Sequence, residues 1–277
     1  MSGPDAFDHE AFDYEAATWG AETVRPGERT IAGFRLDEAL LHLPERGRVL
    51  EVGCGAGRFL CALRVARPEL ALAGTDVSHA ALAQLASRAP EIETRPGSGA
   101  RLPAADGEFD AVLVMDVLEH VSDPDQLLRE VRRVLAPAGI LHLHVPCEAD
   151  PRSIWRWLPG QRGERALKRR FGGHLQRFRR NEMLALLRAQ GFELLRVRNS
   201  LHLLGNLADL VAFLRLARAN RGGRAPVTTG DLVAGGGAAV RAVDALLWAE
   251  ARLLARLPSW SLHVSARAAP LSRGSDS

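Results

Sequence analysis

The stretch Arg48-Val-Leu-Glu-Val-Gly-Cys-Gly-Ala-Gly57 decides how this 277-residue chain folds. Its apolar start, Arg48–Val52, is typical of a buried strand, and the glycines at 53, 55 and 57 allow a tight turn into a helix over about residues 57–67. The free amide groups and the dipole at the start of such a helix favour an anion. The stretch therefore predicts a ligand-binding loop between a strand and a helix.

The glycine spacing excludes two common nucleotide sites. A dinucleotide fingerprint needs G-x-G-x-x-G, and Arg58 stands where its last glycine belongs. A triphosphate loop needs a lysine, which this loop lacks. Asp76 ends the next apolar run, Leu70–Asp76, where an acid can accept hydrogen bonds from both hydroxyls of a ribose. The pattern favours a ribose-bearing ligand other than NAD.

Short apolar runs alternate with amphipathic helices as far as about Arg198. Strands are predicted at 48–52, 70–76, 91–95, 109–115, 140–145, 192–198 and 261–267, and helices at 57–67, 78–88 with Ser78 as N-cap, 123–135, 181–190 with Asn181 as N-cap, 201–219 and 240–257. This alternation indicates a parallel sheet covered on both faces, with ligands beyond the carboxyl ends of its strands.

The composition is that of an ordinary soluble globular protein, with 47% hydrophobic and 25% charged residues. No apolar run approaches the roughly 18 residues of a membrane-spanning helix. The acidic N-terminus does not have the pattern of a signal peptide, and the three cysteines lack C-x-x-C spacing. We therefore expect a cytoplasmic protein, and the sequence assigns no metal ligands.

Five segments resemble the class I S-adenosylmethionine-dependent methyltransferases, and most closely the quinone-biosynthesis and small-molecule group. They are Val49–Gly57, Gly74–Ser78, Leu102-Pro103 with Phe109-Asp110, Asp116–Val121 and Arg133–Gly139. The resemblance covers about residues 48–199. It implies an α/β, Rossmann-like methyltransferase fold: a mostly parallel seven-stranded sheet with helices on both faces and a helical insertion before the last strand.

The sequence predicts four parts of the chain, of which the resemblance covers only the second. Residues 1–47 form an N-terminal cap segment, and residues 48–199 form the core that binds S-adenosylmethionine. Residues 200–260 form the helical insertion, which would serve as a lid, a dimer surface or a membrane surface. Residues 261–277 supply the last strand and a tail.

S-adenosyl-L-methionine is the cofactor that the resemblance implies. Gly53 and Gly55 would line its methionine portion, and Glu51 would help to hold its ammonium group. Asp76 would accept hydrogen bonds from the ribose hydroxyls, and Val77 would pack on the adenine.

Three more residues complete the implied cofactor site. Met115 matches a residue beside the cofactor in the quinone group. Many relatives place an acid before the Leu-Pro pair to meet the adenine amino group. In this chain Ser98 or Gly99 falls there, so a serine hydroxyl or the backbone would have to make that contact.

Two histidines are candidate catalytic residues. A sulfonium methyl is already activated, so the enzyme mainly aligns a nucleophile with the carbon–sulfur bond. A hydroxyl or ammonium acceptor must also lose a proton, which a histidine base can take. His120 follows the fourth strand, and His174 precedes a helix where relatives close over the substrate. The alternative for each is a structural role in its loop.

Residues 152–180 are strongly basic, and Glu164 is the only acid among them. The basic residues are Arg152, Arg156, Arg162, Arg165, Lys168, Arg169, Arg170, Arg177, Arg179 and Arg180. An anionic small molecule bearing a carboxylate or phosphate, an RNA, or a membrane surface would each suit this segment, and so would plain solvation.

The sequence thus favours a methyltransferase acting on a small molecule, with oxygen as the first choice of acceptor atom. An RNA methyltransferase and a non-catalytic binding module with the same fold are the alternatives, and nucleic acid is the less favoured substrate. A homodimer and peripheral membrane contact stay open.

Overall fold

The computed structural model describes residue 15 and residues 19–161, 166–219 and 237–269. Seven strands form one sheet in the order β3-β2-β1-β4-β5-β7-β6. They are β1 (Gly47–Val52), β2 (Leu70–Asp76), β3 (Glu93–Pro96), β4 (Phe109–Met115), β5 (Leu135–Pro146), β6 (Phe192–Ser200) and β7 (Ser261–Ala268). Strand β7 is antiparallel to β5 and β6, and the other pairs are parallel. The predicted mostly parallel seven-stranded sheet is confirmed.

Helices cover both faces of this sheet. They are α1 (Ile31–Leu40), α2 (Arg58–Ala66), α3 (His79–Arg88), α4 (Pro124–Val134), α5 (Ile154–Trp157), α6 (Leu167–Gly172), α7 (Arg180–Ala189), α8 (Leu203–Ala219) and α9 (Ala238–Leu254). Val49 of β1 packs in an apolar cluster with α1, α2 and α3, whereas the next residue, Leu50, packs in a cluster with α4 and α7. Since successive strand residues point to opposite faces, this explains why β1 is apolar on both sides.

Local sequence signals place most of the element ends. The Ser78 hydroxyl accepts a hydrogen bond from the amide of Ala81 and caps α3 as predicted. The predicted cap of α7 is wrong, because Arg179 occupies the N-cap position and Asn181 already lies inside the helix. Strand β5 also begins at Leu135, before the predicted start at Ile140.

The helices predicted before the last strand form α8 and α9. Helix α9 packs against α1 and β6, and α8 packs against α5 and α6. Both leave large apolar side chains in solvent, including Leu203 (80% exposed) and Leu253 (83% exposed). Among the helices of the described ranges, none combines the length and the apolar character needed to cross a bilayer.

Candidate active site

A cavity of about 440 Å³ lies at the carboxyl ends of β1, β2, β4 and β5. Helices α6 and α8 also contribute to its wall. Every residue that the sequence proposed for the site lines this one cavity: Glu51, Gly53, Gly55, Asp76, Val77, Ser98, Gly99, Met115, His120 and His174. The fold therefore brings the proposed cofactor residues and both histidines together, as parallel strands that end at one edge allow.

Gly53 and Gly55 shape the wall of the cavity, but their backbone amides are not free hydrogen-bond donors. Gly53 and Gly55 have φ angles of +67° and +52°, a region that L side chains rarely adopt. A Cβ atom on Gly53 would also collide with a methyl group of Val117. The amide of Gly53 donates to the carbonyl of Thr75, at 2.8 Å, and the amide of Gly55 donates to Oδ2 of Asp76, at 2.7 Å. The amides of these two glycines are thus engaged within the protein.

Glu51 is a buried acid at the end of β1 with an unsatisfied oxygen. Its side chain lines the cavity, the residue is 2% exposed, and Oε2 has no hydrogen-bond partner. Burial raises the pKa of this carboxyl group to about 8. A buried polar atom without a partner is costly. The site therefore fits a ligand that brings a cation, such as the ammonium group of a methionine moiety.

Asp76 is held in place by two backbone amides at the end of β2. Its Oδ1 accepts from Ser78, at 2.9 Å, and its Oδ2 accepts from Gly55, at 2.7 Å. Each carboxylate oxygen has a second lone pair, so Asp76 can still accept hydrogen bonds from a ribose. Burial raises its pKa. The apolar side chain of Val77 beside it is 36% exposed, which fits an aromatic base packed on it.

Part of the N-terminal segment lies against this end of the cavity. The Glu15 carboxylate accepts from the amides of His79 and Ala80 at the start of α3, at 2.7 and 3.1 Å. Trp19 and Glu22 line the cavity. None of these residues could be predicted as part of the site, because isolated aromatic and acidic side chains in an irregular segment form no recognisable pattern.

The two histidines lie together beyond β4. The His120 and His174 ring centroids are 4.9 Å apart, with the planes at 79°. Nδ1 of His120 is 3.2 Å from the carbonyl of Gly173, and the Glu119 carbonyl accepts from the amide of Leu175, at 2.7 Å. These contacts tie the two loops to each other. Burial, aided by His174, lowers the pKa of His120 to about 3, so this imidazole is neutral at physiological pH.

A buried charge cluster that the sequence did not reveal supports His174. Oε1 of Glu148 is 2.7 Å from Nδ1 of His174 and 3.4 Å from Nζ of Lys168. Lys168 also lies 2.9 Å from Oδ2 of Asp209 on α8. Burial alone would raise the pKa of Glu148, but His174 and Lys168 outweigh it and lower the pKa to about 2. The chain's only lysine thus joins α6 to α8 beside the cavity.

Asp116 follows β4 in a strained conformation. Its φ angle is +56°, which is uncommon for a residue other than glycine. Nη1 of Arg35, on α1, donates to its Oδ2 at 2.5 Å, and Nδ1 of His144 lies 2.8 Å from its Oδ1. Burial opposes ionisation, but Arg35 and His144 hold the pKa of Asp116 well below its usual range. Arg35 was missed because nothing in its local sequence marks it.

Several arginines of the basic segment bind the protein's own acceptors. Arg177 donates to the carbonyls of Gln161 and Trp155, at 2.7 and 2.9 Å, and Arg156 donates to that of Ala149, at 3.1 Å. Arg162 and Arg165 lie outside the described residues.

Carboxylates outnumber cations among the cavity-lining residues. The acids are Glu22, Glu51, Asp76, Asp116, Glu119 and Asp209, and the lysine and arginines are Arg35, Arg58 and Lys168. Each of these three cations faces a carboxylate within 4 Å: Arg35 faces Asp116, Arg58 faces Glu22, and Lys168 faces Asp209. An anionic acceptor therefore finds no unpaired cation among these lining residues.

The sheet order, the glycine loop and the acids that end β1 and β2 are those expected from the resemblance to the class I S-adenosylmethionine-dependent methyltransferases. Residues 50–143 match the family model described as a methyltransferase domain. The solved structure of the [4+2]-cyclase SpnF superposes with a TM-score of 0.55 at 25% identity, over 86% of this chain and 80% of that one.

Two curated relatives support the resemblance to methyltransferases. A probable S-adenosylmethionine-dependent methyltransferase of Mycolicibacterium smegmatis is 35% identical over 131 residues, which are 43% of this chain and 50% of that protein. A ubiquinone biosynthesis O-methyltransferase of Caulobacter vibrioides is 36% identical over 119 residues, 41% of this chain and 46% of that protein. The chain thus spans about half the length of the curated relatives it matches, and over this part the resemblance is confirmed.

Proposed function

We propose that the protein transfers a methyl group from S-adenosylmethionine to a hydroxyl oxygen of a small molecule. The observation that carries this proposal is the single cavity lined by Glu51, Asp76 and the glycine loop and also by His120 and His174. The similarity to ubiquinone biosynthesis O-methyltransferases supports oxygen as the acceptor atom.

The cofactor would bind along the ends of β1, β2 and β4. Glu51 would meet its ammonium group, Asp76 would accept from the ribose hydroxyls, and Val77 would pack on the adenine. Gly53 and Gly55 would shape the wall at the methionine portion. Ser98, Gly99 and Met115 would complete the wall. When bound, S-adenosylmethionine supplies a methyl group already activated by the sulfonium, so the chain's task is mainly alignment.

His120 and His174 would act at the acceptor. Both line the cavity, and their loops are tied to each other by the backbone contacts described above. A neutral imidazole can accept a hydroxyl proton, but the low pKa of His120 makes it a weak base. We therefore propose that the pair activates the acceptor as a unit.

The two alternatives have less support. An RNA substrate was suggested by the basic segment, in which Arg156 and Arg177 are engaged with backbone carbonyls. A non-catalytic module is disfavoured by the open cavity beside α6 and α8. Because one protein of similar structure is named a cyclase, the decisive assay must detect methyl transfer itself.

Calorimetric titration with S-adenosylhomocysteine tests the cofactor site. We expect Asp76→Ala to weaken binding at least tenfold, because hydrogen bonds to a charged group are lost. The matched control is Asp106→Ala, whose side chain is 83% exposed and whose loss should leave affinity unchanged. Absence of binding to the unaltered chain would remove the proposal.

Transfer is tested with S-adenosylmethionine carrying a trideuterated methyl group. A cell extract incubated with the protein should yield a labelled compound detectable by mass spectrometry. With that compound as substrate, we expect His120→Ala to lower turnover while leaving cofactor affinity nearly intact. The exposed His79→Ala serves as the matched control. Unchanged turnover in His120→Ala would assign His120 to structure.

A further inference from the structure

We propose that Glu119, His120 and His174 hold a divalent transition-metal ion of the Mn²⁺ or Zn²⁺ type. One ligand atom from each residue lies within 4.8 Å of the other two. Nε2 of His120 is 3.9 Å from Oε1 of Glu119. Two imidazoles and one carboxylate facing an open cavity are a donor set that suits such ions and leaves coordination positions for a ligand.

The burial of Glu119 is the second observation. The residue is 1% exposed and lines the cavity, and its Oε2 has no hydrogen-bond partner. An unsatisfied carboxylate oxygen in the interior is costly and calls for an explanation. A cation between this oxygen and the two imidazoles would satisfy it.

The surroundings of the two imidazoles match those of metal ligands. A ligating histidine usually turns its other ring nitrogen toward a carbonyl or a carboxylate, which orients the ring. Nδ1 of His120 lies 3.2 Å from the Gly173 carbonyl, and Nδ1 of His174 lies 2.7 Å from Oε1 of Glu148. Each ring is thus oriented by an acceptor outside the proposed ligand set.

The three ligand atoms need to move only slightly closer together to bind one ion. With metal–ligand bonds of ~2.1 Å, neighbouring ligand atoms lie ~3 Å apart. The 4.8 Å limit and the 3.9 Å distance therefore require side-chain movements of about 1 Å. The hydrogen bond from the amide of Leu175 to the Glu119 carbonyl holds the two loops together at this spacing.

A cation here also defines the class of acceptor, and this part of the inference rests on the proposed function. The ion would supply the unpaired positive charge that the cavity-lining residues lack. It would favour an acceptor whose hydroxyl has a second oxygen beside it, as in a catechol or a hydroxy acid, because both oxygens could reach one ion.

The methyl group then passes directly from the sulfonium to the hydroxyl oxygen. With both imidazoles bound to the ion, the pair activates the acceptor through the ion instead of taking its proton. The hydroxyl, made more acidic by the cation, loses its proton to water. An oxygen lone pair forms the new bond to the methyl carbon, and the carbon–sulfur bond breaks with its electrons left on sulfur. The products are the methyl ether and S-adenosylhomocysteine.

Direct metal binding tests the inference without an activity assay. The full chain, treated with a chelator and then saturated with S-adenosylhomocysteine, is titrated with Mn²⁺ and followed by electron paramagnetic resonance. We expect one Mn²⁺ ion to bind tightly to each chain. Glu119→Gln and His174→Ala should each weaken this binding at least tenfold, whereas the exposed His79→Ala should not change it.

The outcomes separate this inference from the proposed function. If the unaltered chain binds S-adenosylhomocysteine but takes up neither Mn²⁺ nor, in a parallel calorimetric titration, Zn²⁺, the metal site is refuted and the methyltransferase proposal stands. Metal binding that is unchanged in both Glu119→Gln and His174→Ala also refutes the site. If a variant fails to fold, the milder substitutions His120→Gln and His174→Gln replace it, and Mn²⁺ binding unchanged in both refutes the site.

Discussion

If Glu51 holds the ammonium group as proposed, its burial should make cofactor affinity depend on pH, and the raised pKa of its carboxyl group sets the sign. With a pKa of about 8 in the ligand-free protein, Glu51 is protonated at pH 6. An ammonium group needs the carboxylate, so binding must release that proton. Affinity for S-adenosylhomocysteine should therefore increase as the pH rises toward 8.

The size of the effect follows from the ionised fraction. For a pKa of about 8, that fraction increases from roughly 1% at pH 6 to roughly 24% at pH 7.5. Affinity should rise about 25-fold over this range, which corresponds to ~1.9 kcal/mol. The range stays below pH 8 so that the amino group of the ligand keeps its proton.

Calorimetry measures both the affinity for S-adenosylhomocysteine and the number of protons that its binding releases. Titrations at pH 6.5 in buffers of different ionisation enthalpy should show release of about one proton per S-adenosylhomocysteine bound. Glu51→Gln keeps the shape of the side chain and removes the titration, so its affinity should be weaker at pH 7.5 and nearly flat with pH. A flat profile for the unaltered chain, or an unchanged slope in Glu51→Gln, would refute the assignment of Glu51 to the ammonium group.

The same pKa shift has a consequence for stability. The folded carboxyl group prefers its proton, because its pKa lies above the ordinary value of 4.5. Glu51 therefore contributes stability that is fully present below about pH 4.5 and is lost as the pH rises through about 8. In the ligand-free protein, Glu51→Gln should raise the Tm at pH 8 more than at pH 5.

Two further predictions concern the walls of the cavity. Gly53→Ala places a Cβ against Val117 at a φ of +67°, so we expect a loss of ~1–3 kcal/mol in unfolding free energy and weaker S-adenosylhomocysteine binding; an unchanged Tm and affinity would contradict this. Lys168→Met leaves the buried Glu148 and the partly buried Asp209 without this cation and should cost ~3–5 kcal/mol in urea unfolding. Arg64→Met, from an ion pair that is 44% and 46% exposed, should cost less than ~1 kcal/mol. Equal losses would show that the Lys168 cluster is not a buried charge centre.

The part of the fold that could be predicted depends on signals that are contiguous in sequence. Strands β2 and β4 begin and end where their apolar runs do, and Ser78 caps α3 because its hydroxyl reaches an amide three residues along. The N-terminus of α7 was misplaced because Asn181 is a common capping residue, although the helix begins one residue before it.

The residues proposed for the cofactor came from the family resemblance, and the structure places Glu51, Asp76 and Met115 at or near the ends of strands that the sequence located. The residues at the acceptor end of the cavity could be predicted from the sequence only in part. His120 was noticed, but its neighbour Glu119 was not, although an acid beside a histidine after a strand is a local signal. Glu148 and Asp209 could not be found, because their role depends on Lys168, which only tertiary packing brings to them.

The turn after β4 places two acids in different environments within four residues. Asp116 meets Arg35 and His144, and its pKa falls well below the usual range despite burial. Burial together with the Asp116 charge raises the pKa of Glu119 well above the usual range, although Lys168 acts in the opposite direction. The positive φ of Asp116 stores strain that the Arg35 contact can offset. Asp116 is thus paired with Arg35 of α1, whereas Oε2 of Glu119 has no hydrogen-bond partner, and for this reason we place the proposed acceptor chemistry at Glu119 and the two histidines.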